Sequence, residues 1–352
     1  MNQNNLIFFT FLIFFNLLFY KYFLILLNKI NTKLMIDDQF EKPQAFHQHP
    51  TSTAGGIGIF ISFLFLCIYF FLTKQVIYYD FISFCTLFFF LGLSVDLKLN
   101  IRPKFRLVAM TVFLIFLVIS NNFYIEDTGM AFLNRFLEID IFALFFVCLC
   151  FLFIINGSNL IDGYNGLLSI HILIILINLF FINFFSSNNE LLYIIFGGIF
   201  IVTMFLKYNF PKANFFLGDS GSYFLGAFVA IAVIKTSIAN PTISPFYFCI
   251  LLFYLFFEVF FSFIRKILIK KKSPLFPDQN HLHMLVYKIL LKKYKNKLKS
   301  NYCVTLIINS IYFLFLVPAI IMMKNGLFCK YYSIVFFLIY FLSYKIAYAK
   351  KK

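Results

Sequence analysis

The sequence predicts an all-α, polytopic integral membrane protein with about eleven transmembrane helices in one domain spanning 1–352. Three observations lead there. The chain is 62% hydrophobic with a mean hydropathy of +0.90, whereas a soluble globular chain is nearer half apolar. Apolar runs long enough to cross a hydrocarbon core of about 30 Å recur along its whole length. The cations, finally, are concentrated in alternate loops.

In order, the candidate spans are roughly 5–28, 55–73, 79–95, 105–120, 140–156, 167–185, 190–207, 220–239, 244–264, 302–322 and 328–347. The first is too long for a signal-peptide core and lacks a small-residue cleavage site, so it is read as a membrane helix. With the N-terminus outside, the cytoplasmic segments are 29–54, 96–106, 156–166, 207–219, 265–301 and the C-terminal 345–352. These hold most of the 30 Lys and Arg, as the positive-inside rule expects. The net charge of +16 therefore reads as orientation and not as a nucleic-acid surface, and some of these cations could also hold anionic headgroups or phosphates. With no Trp, the interfacial aromatic belt falls to the 21 Tyr. The seven Cys are scattered without a CxxC and read as small hydrophobes, not as a disulfide framework or metal site.

Every polar constellation falls on the side assigned to the cytoplasm: "KPQAFHQHPTSTAGG", "GLSVDLKLNIRPKFRL", "NGSNLIDGYNGL", "NFPKANFFLGDSGSYFLG" and "SPLFPDQNHLHMLVYK". The strong mid-span polar candidates are only Glu258 and His171. A transport path would leave ionisable groups along the bilayer, so the chemistry is expected at one interface. Asp96, Asp162 and Asp219 all fall at inner span ends, where an ionised carboxylate needs a partner. Convergence of the three near Asn and Gly suggests Mg²⁺, with Mn²⁺ as the alternative, because all the donors are hard oxygens. Asn156, Asn159 and Asp162 are spaced i, i+3, i+6 and share a helical face. Gly163 and Gly166 let the chain turn and a ligand approach. The alternative is an ordinary capped helix end.

In "GDSGS", Asp219, Ser220, Gly221 and Ser222 open a span, so free N–H groups and a positive helix end suit phosphate oxygens bridged to Asp219 by a cation. The alternative is an Asp or Ser N-cap. His281 and His283 suit proton donation or hydrogen bonding to phosphate. A zinc site formed with His47 and His49 lacks supporting Cys or HxxxH spacing.

Five such loops in this order resemble the polyprenyl-phosphate N-acetylhexosamine-1-phosphate transferases, over nearly the whole chain. The first loop matches at Lys42, Pro43, His47, Pro50, Thr51, Gly55 and Gly56; the third at Asn156, Asn159, Asp162, Gly163, Gly166 and Leu167. The fourth matches at Gly218, Asp219, Gly221 and Ser222, and the fifth at Pro277, Asp278, His281, Leu282 and His283. Three positions depart from the family's pattern. Val95 replaces the first acid of an Asp-Asp pair, Thr53 an arginine, and Met284 a histidine.

The resemblance implies transfer of a sugar-1-phosphate from a UDP-N-acetylhexosamine to undecaprenyl phosphate at the bacterial inner membrane, with release of UMP. It implies that Asp219 and Asn159 hold Mg²⁺, and that Asp96 and Asp162 position metal, acceptor or nucleotide. Asn156, Gly221 and Ser222 would line the substrate site. Arg265, His281 and His283 would contact the donor, and His47, Lys42 and Lys104 the lipid phosphate or donor. The expected partners are the two substrates, the bilayer and a second copy of the chain, with no nucleic acid. An acceptor phosphate with a second pKa near 6 is already mostly dianionic, so a one-step attack survives Val95, whereas an aspartyl-phosphate at that position does not. The competing readings are a lipid-linked sugar flippase and an inactive relative.

Overall fold

The computed structural model describes residues 3–30, 35–37, 50–269 and 279–350. Within them, ten helices are long and apolar enough to cross a membrane, or eleven if one bent pair counts as a single span. They are α1 (Gln3–Ile30), α2 (Gly55–Lys74), α3 (Tyr79–Asp96), α4 (Pro103–Ser120), α6 (Asp140–Ile161), α7 (Leu167–Phe185), α8 (Asn189–Asn209), α9 (Gly218–Ala239), α13 (Lys297–Ile321) and α14 (Gly326–Lys350). The bent pair is α10 (Pro245–Leu251) with α11 (Phe253–Ile264). Two further helices are α5 (Ala131–Leu137), in a segment read from sequence as a loop, and α12 (Leu282–Tyr294), which overlaps the lysine run 288–299 whose composition reads as a basic interfacial helix.

α9 is the core of the bundle, enclosed by α2, α3, α6 and α7. Its small residues let neighbours approach at backbone distance, which is how helices associate where apolar burial gives no preference. A Cβ on Gly226 would lie 2.8 Å from Ile155 Cα of α6, and one on Gly92 of α3 would lie 2.3 Å from the Asp219 carbonyl. By contrast α1, α4 and α14 are peripheral and expose Phe, Leu and Ile along their length, the surface expected of lipid-facing helices.

Three departures from the sequence reading have physical causes. The span read as 140–156 continues to Ile161, so Asn156 and Asn159 are helical. Asn156 Nδ2 and Ser158 Oγ donate to the carbonyls four residues back, which lets polar side chains remain in the helix. The span read as 244–264 is broken at Leu252 with a 74° bend. Tyr312 Oη donates to the Leu251 carbonyl at 2.6 Å and satisfies an acceptor that the break releases. Last, two short strands interrupt the all-helical plan: β1 (Ile36–Asp37) pairs antiparallel with β2 (Thr51–Ser52). The free N–H groups opening α2 explain the anchorage of this segment. Gly55 and Gly56 donate to the Phe216 and Leu217 carbonyls (3.0 and 2.9 Å), and Phe216 donates back to Ser52 (2.7 Å). The start of α2 is thereby stitched to the start of α9.

Candidate active site

The site is organised around the first turn of α9. Gly218 has φ +76°, and a Cβ there would lie 2.4 Å from the Thr53 carbonyl and 2.7 Å from Asp96 Oδ2. Only glycine fits, because both the left-handed backbone and the missing side chain are needed. The turn places the N–H groups of Asp219 and Ser220 on the Asp96 carboxylate, each at 2.9 Å and each on a different oxygen. Asp96, the last residue of α3, therefore caps α9 from another helix, where a carboxylate is favoured by the positive helix end. This corrects the expectation that the helix start presents free N–H groups to phosphate: two of them already hold a carboxylate. Gly221 is likewise a packing residue, its backbone set against Gly56.

Asp219 is the residue on which the helices converge. Its Oδ1 accepts from Asn159 Nδ2 of α6 at 2.9 Å, and its Oδ2 accepts from Arg106 Nη1 of α4 at 3.0 Å. Asn159 Nδ2 also reaches Ser222 Oγ at 3.0 Å, so Asn159 fastens α6 to α9. Arg106 was not singled out by sequence reasoning, which preferred Lys104. Its available signal was position: it sits in the first turn of a span, one turn beyond Pro103, where a long cation can reach a neighbouring helix end. Lys104 is exposed at the same helix start. Asn156 faces Met110 Sδ (3.8 Å), not the carboxylates.

Asp162 follows the last turn of α6 and is partly exposed. Burial of its carboxylate, with Asp219 and Asp96 close by, raises its pKa well above the usual carboxylate range. The three acids are thus brought together, as expected. Next to Asp162, Gly163 faces open space, with nothing within 4 Å of where its Cβ would lie. The remainder of the motif is a fastener. Gly166, at φ +74°, donates its N–H to Asn209 Oδ1 at 2.6 Å. Asn165 bonds to the Pro211 carbonyl and receives Thr305 Oγ1 on its own.

The histidine motif joins this site through Tyr164, whose ring meets that of His283 edge-on at 5.8 Å. The rings of His281 and His283 lie parallel with centroids 5.5 Å apart. Glu258 of α11, only 1% exposed, organises both. One oxygen lies 3.0 Å from His281 Nδ1; the other accepts the Leu282 N–H at 3.2 Å and lies 3.7 Å from His283 Nδ1. A carboxylate can only accept, which places the His281 proton on Nδ1. Tyr254 Oη lies 3.3 Å from His283 Nδ1, and His283 Nε2 has no hydrogen-bond partner among the described residues. Burial, aided by His281 and opposed by Glu258, lowers the His283 pKa to about 4. At neutral pH, His283 is therefore a neutral hydrogen-bonding group and not a cation.

Arg265, expected to contact the donor, is instead 4% exposed. Nη1 donates to the Asn280 carbonyl and to Tyr344 Oη, and the guanidinium lies over the Phe261 and Tyr344 rings. It anchors the chain entering His281, because a buried guanidinium must spend its donors on protein acceptors. His171 is likewise structural, its Nδ1 held by Asn309 Oδ1 at 3.1 Å. Lys42 and His47 lie outside the described residues.

Residues 78–237, which carry Asp96, Arg106, Asn159, Asp162 and Asp219, match the model of glycosyl transferase family 4. This segment belongs to glycosyl transferase family 4. The resemblance read from the loop motifs is borne out over this segment, which carries the second, third and fourth of the five loops. An undecaprenyl-phosphate alpha-N-acetylglucosaminyl 1-phosphate transferase of Thermotoga maritima is 33% identical over 156 residues, 42% of this chain and 45% of that protein. A phospho-N-acetylmuramoyl-pentapeptide-transferase of Caldicellulosiruptor bescii is 30% identical over 148 residues, 41% and 46% of the two chains. A probable undecaprenyl-phosphate N-acetylglucosaminyl 1-phosphate transferase of Bacillus subtilis is 28% identical over 247 residues, 68% and 66%. The chain thus spans about half the length of the first two relatives and about two thirds of the third. His281 and His283 lie beyond the family segment.

Proposed function

We propose that this chain transfers a sugar-1-phosphate from a UDP-N-acetylhexosamine to undecaprenyl phosphate. The reaction would run on the cytoplasmic face of a bacterial inner membrane and start a cell-surface polysaccharide such as O-antigen. The observation that carries the reading is the gathering of Asp96, Asp162, Asp219 and Asn159 at the ends of α3, α6 and α9, inside the segment that matches the family model. The concentration of Lys and Arg on alternate loops supports the orientation.

In the reaction, a phosphate oxygen of the lipid attacks the β-phosphorus of the donor. The bond from that phosphorus to the bridging oxygen breaks, and UMP leaves with the electron pair. Among the described residues, no group of three or more His, Cys, Asp or Glu is placed to hold a metal by itself. A site of one or two carboxylates with an amide fits Mg²⁺ all the same, because that ion keeps waters and substrate phosphates in its shell. Asp219 and Asn159 would hold the ion, with Asp162 beside them, and it would neutralise charge on the diphosphate. Asp96 keeps the helix bearing Asp219 in place. Neutral His283 and Glu258-held His281 offer hydrogen bonds, and exposed Lys104 offers positive charge at the rim. With Asp96 capping α9 through both oxygens, the site works around a single acid at the end of α3, and Val95 is no obstacle.

The test is UMP release by the purified chain with undecaprenyl phosphate, Mg²⁺ and a panel of UDP-sugars. Release with at least one UDP-N-acetylhexosamine, lost in Asp219→Asn, is expected. No release with any sugar, or full activity in Asp219→Asn, defeats the reading.

A further inference from the structure

The Asp219 carboxylate has more claimants than oxygens. Asn159 holds Oδ1 at 2.9 Å, Arg106 holds Oδ2 at 3.0 Å, and the reading above places a divalent cation on the same group. Arg106 has no lone pair to share with a metal, and a guanidinium beside a divalent cation on one oxygen repels it. One must give way. The pair is built to open: both side chains are about a quarter exposed, at 26% and 28%. Among the described residues, no other hydrogen bond or ion pair ties the guanidinium down, and it also lies over the Tyr223 ring at 5.7 Å. Arg106 grows from the first turn of α4, on a long stem that can swing while resting on that ring.

We propose that Arg106 is an exchangeable counter-ion of this site. In the empty protein it neutralises Asp219. When a divalent cation binds Asp219, the guanidinium moves to an oxygen of the incoming diphosphate, which its planar fork fits. One cation thus replaces another on the carboxylate, and the displaced charge is reused on the substrate. This rests on the proposed function, since it needs a cation and a diphosphate at Asp219.

The prediction separates metal binding from turnover. Mn²⁺ is titrated into the full-length, detergent-purified chain without substrate, and free Mn²⁺ is followed by electron paramagnetic resonance. Arg106→Gln removes the competing cation and should tighten Mn²⁺ binding by about fivefold, the scale of a partly exposed ion pair. Arg106→Met, which keeps the stem on Tyr223, should do the same and serves if the first variant folds poorly. Arg106→Lys keeps the charge and should bind Mn²⁺ as the unmodified chain does. At saturating Mn²⁺, all three should lose transfer, by tenfold or more for Gln and Met and less for Lys. A purely structural arginine would weaken metal binding on removal, so unchanged or weaker Mn²⁺ affinity in both Gln and Met overturns the exchange while leaving the transferase reading intact. An unmodified chain that neither binds Mn²⁺ nor releases UMP overturns both.

Discussion

Removing the Asp96 carboxylate should loosen the helix that carries Asp219, even though Asp96 belongs to another helix. Asp96→Ala deletes two charge-assisted hydrogen bonds, both 2.9 Å long, from the first N–H groups of α9. Such bonds contribute about 1.5–3 kcal/mol each. The two share one carboxylate and one helix end, so the expected loss is nearer 3–4 kcal/mol than their sum. Asp96→Asn keeps one acceptor oxygen but turns an NH₂ toward the second N–H, for about 2 kcal/mol. At about 2 °C per kcal/mol for a chain of this size, the Ala variant should unfold roughly 6–8 °C below the unmodified protein and Asn about halfway between. With no Trp in the chain, far-ultraviolet circular dichroism of the detergent-solubilised protein is the natural probe. UMP release should fall in parallel with the loss of order. An Ala variant that unfolds at the unmodified temperature but transfers nothing would refute the capping argument and put the carboxylate on substrate instead.

Two further outcomes follow from the same geometry. Gly218→Ala should lower the unfolding temperature and abolish transfer without touching any reacting group, because φ +76° and a Cβ 2.4 Å from the Thr53 carbonyl together cost at least about 2 kcal/mol; Gly163→Ala, facing open space, should leave the unfolding temperature unchanged. His283 has its folded pKa lowered from 6.5 to about 4, so between those values the unfolded chain binds more protons and stability rises with pH. His283→Gln should flatten that slope between pH 4 and 6.5 in thermal unfolding, and an unaltered slope would show that His283 is not buried neutral.

Much of this protein was legible in one dimension. The spans emerged within a few residues of the helices because burying backbone polar groups in lipid forces long apolar helices, and their hydrophobic runs are written locally. The identity of the acids was legible for the same reason, since a carboxylate at the end of an oily run stands out. The helical face expected for Asn156, Asn159 and Asp162 from spacing alone held only in part: Asn159 meets Asp219, Asn156 turns to Met110, and Asp162 lies just past the last helical residue. The two-residue strands and the bend at Leu252 were not legible, because each exists to satisfy backbone groups against partners far along the chain.

What each polar residue does was a tertiary decision. The sequence by itself determined a bundle of apolar helices with its chemistry at their ends, because hydrophobicity and helical periodicity are properties of neighbours in the chain. Only the packing of α3, α4 and α6 around α9 decided that Asp96 caps a helix and that Arg106 and not Lys104 meets Asp219, and only the packing of α14 on α11 decided that Arg265 is an anchor buried against two aromatic rings. A carboxylate or guanidinium takes its role from whichever charge or N–H group lies within about 3 Å of it. Here those groups lie on other helices, up to 124 residues away along the chain.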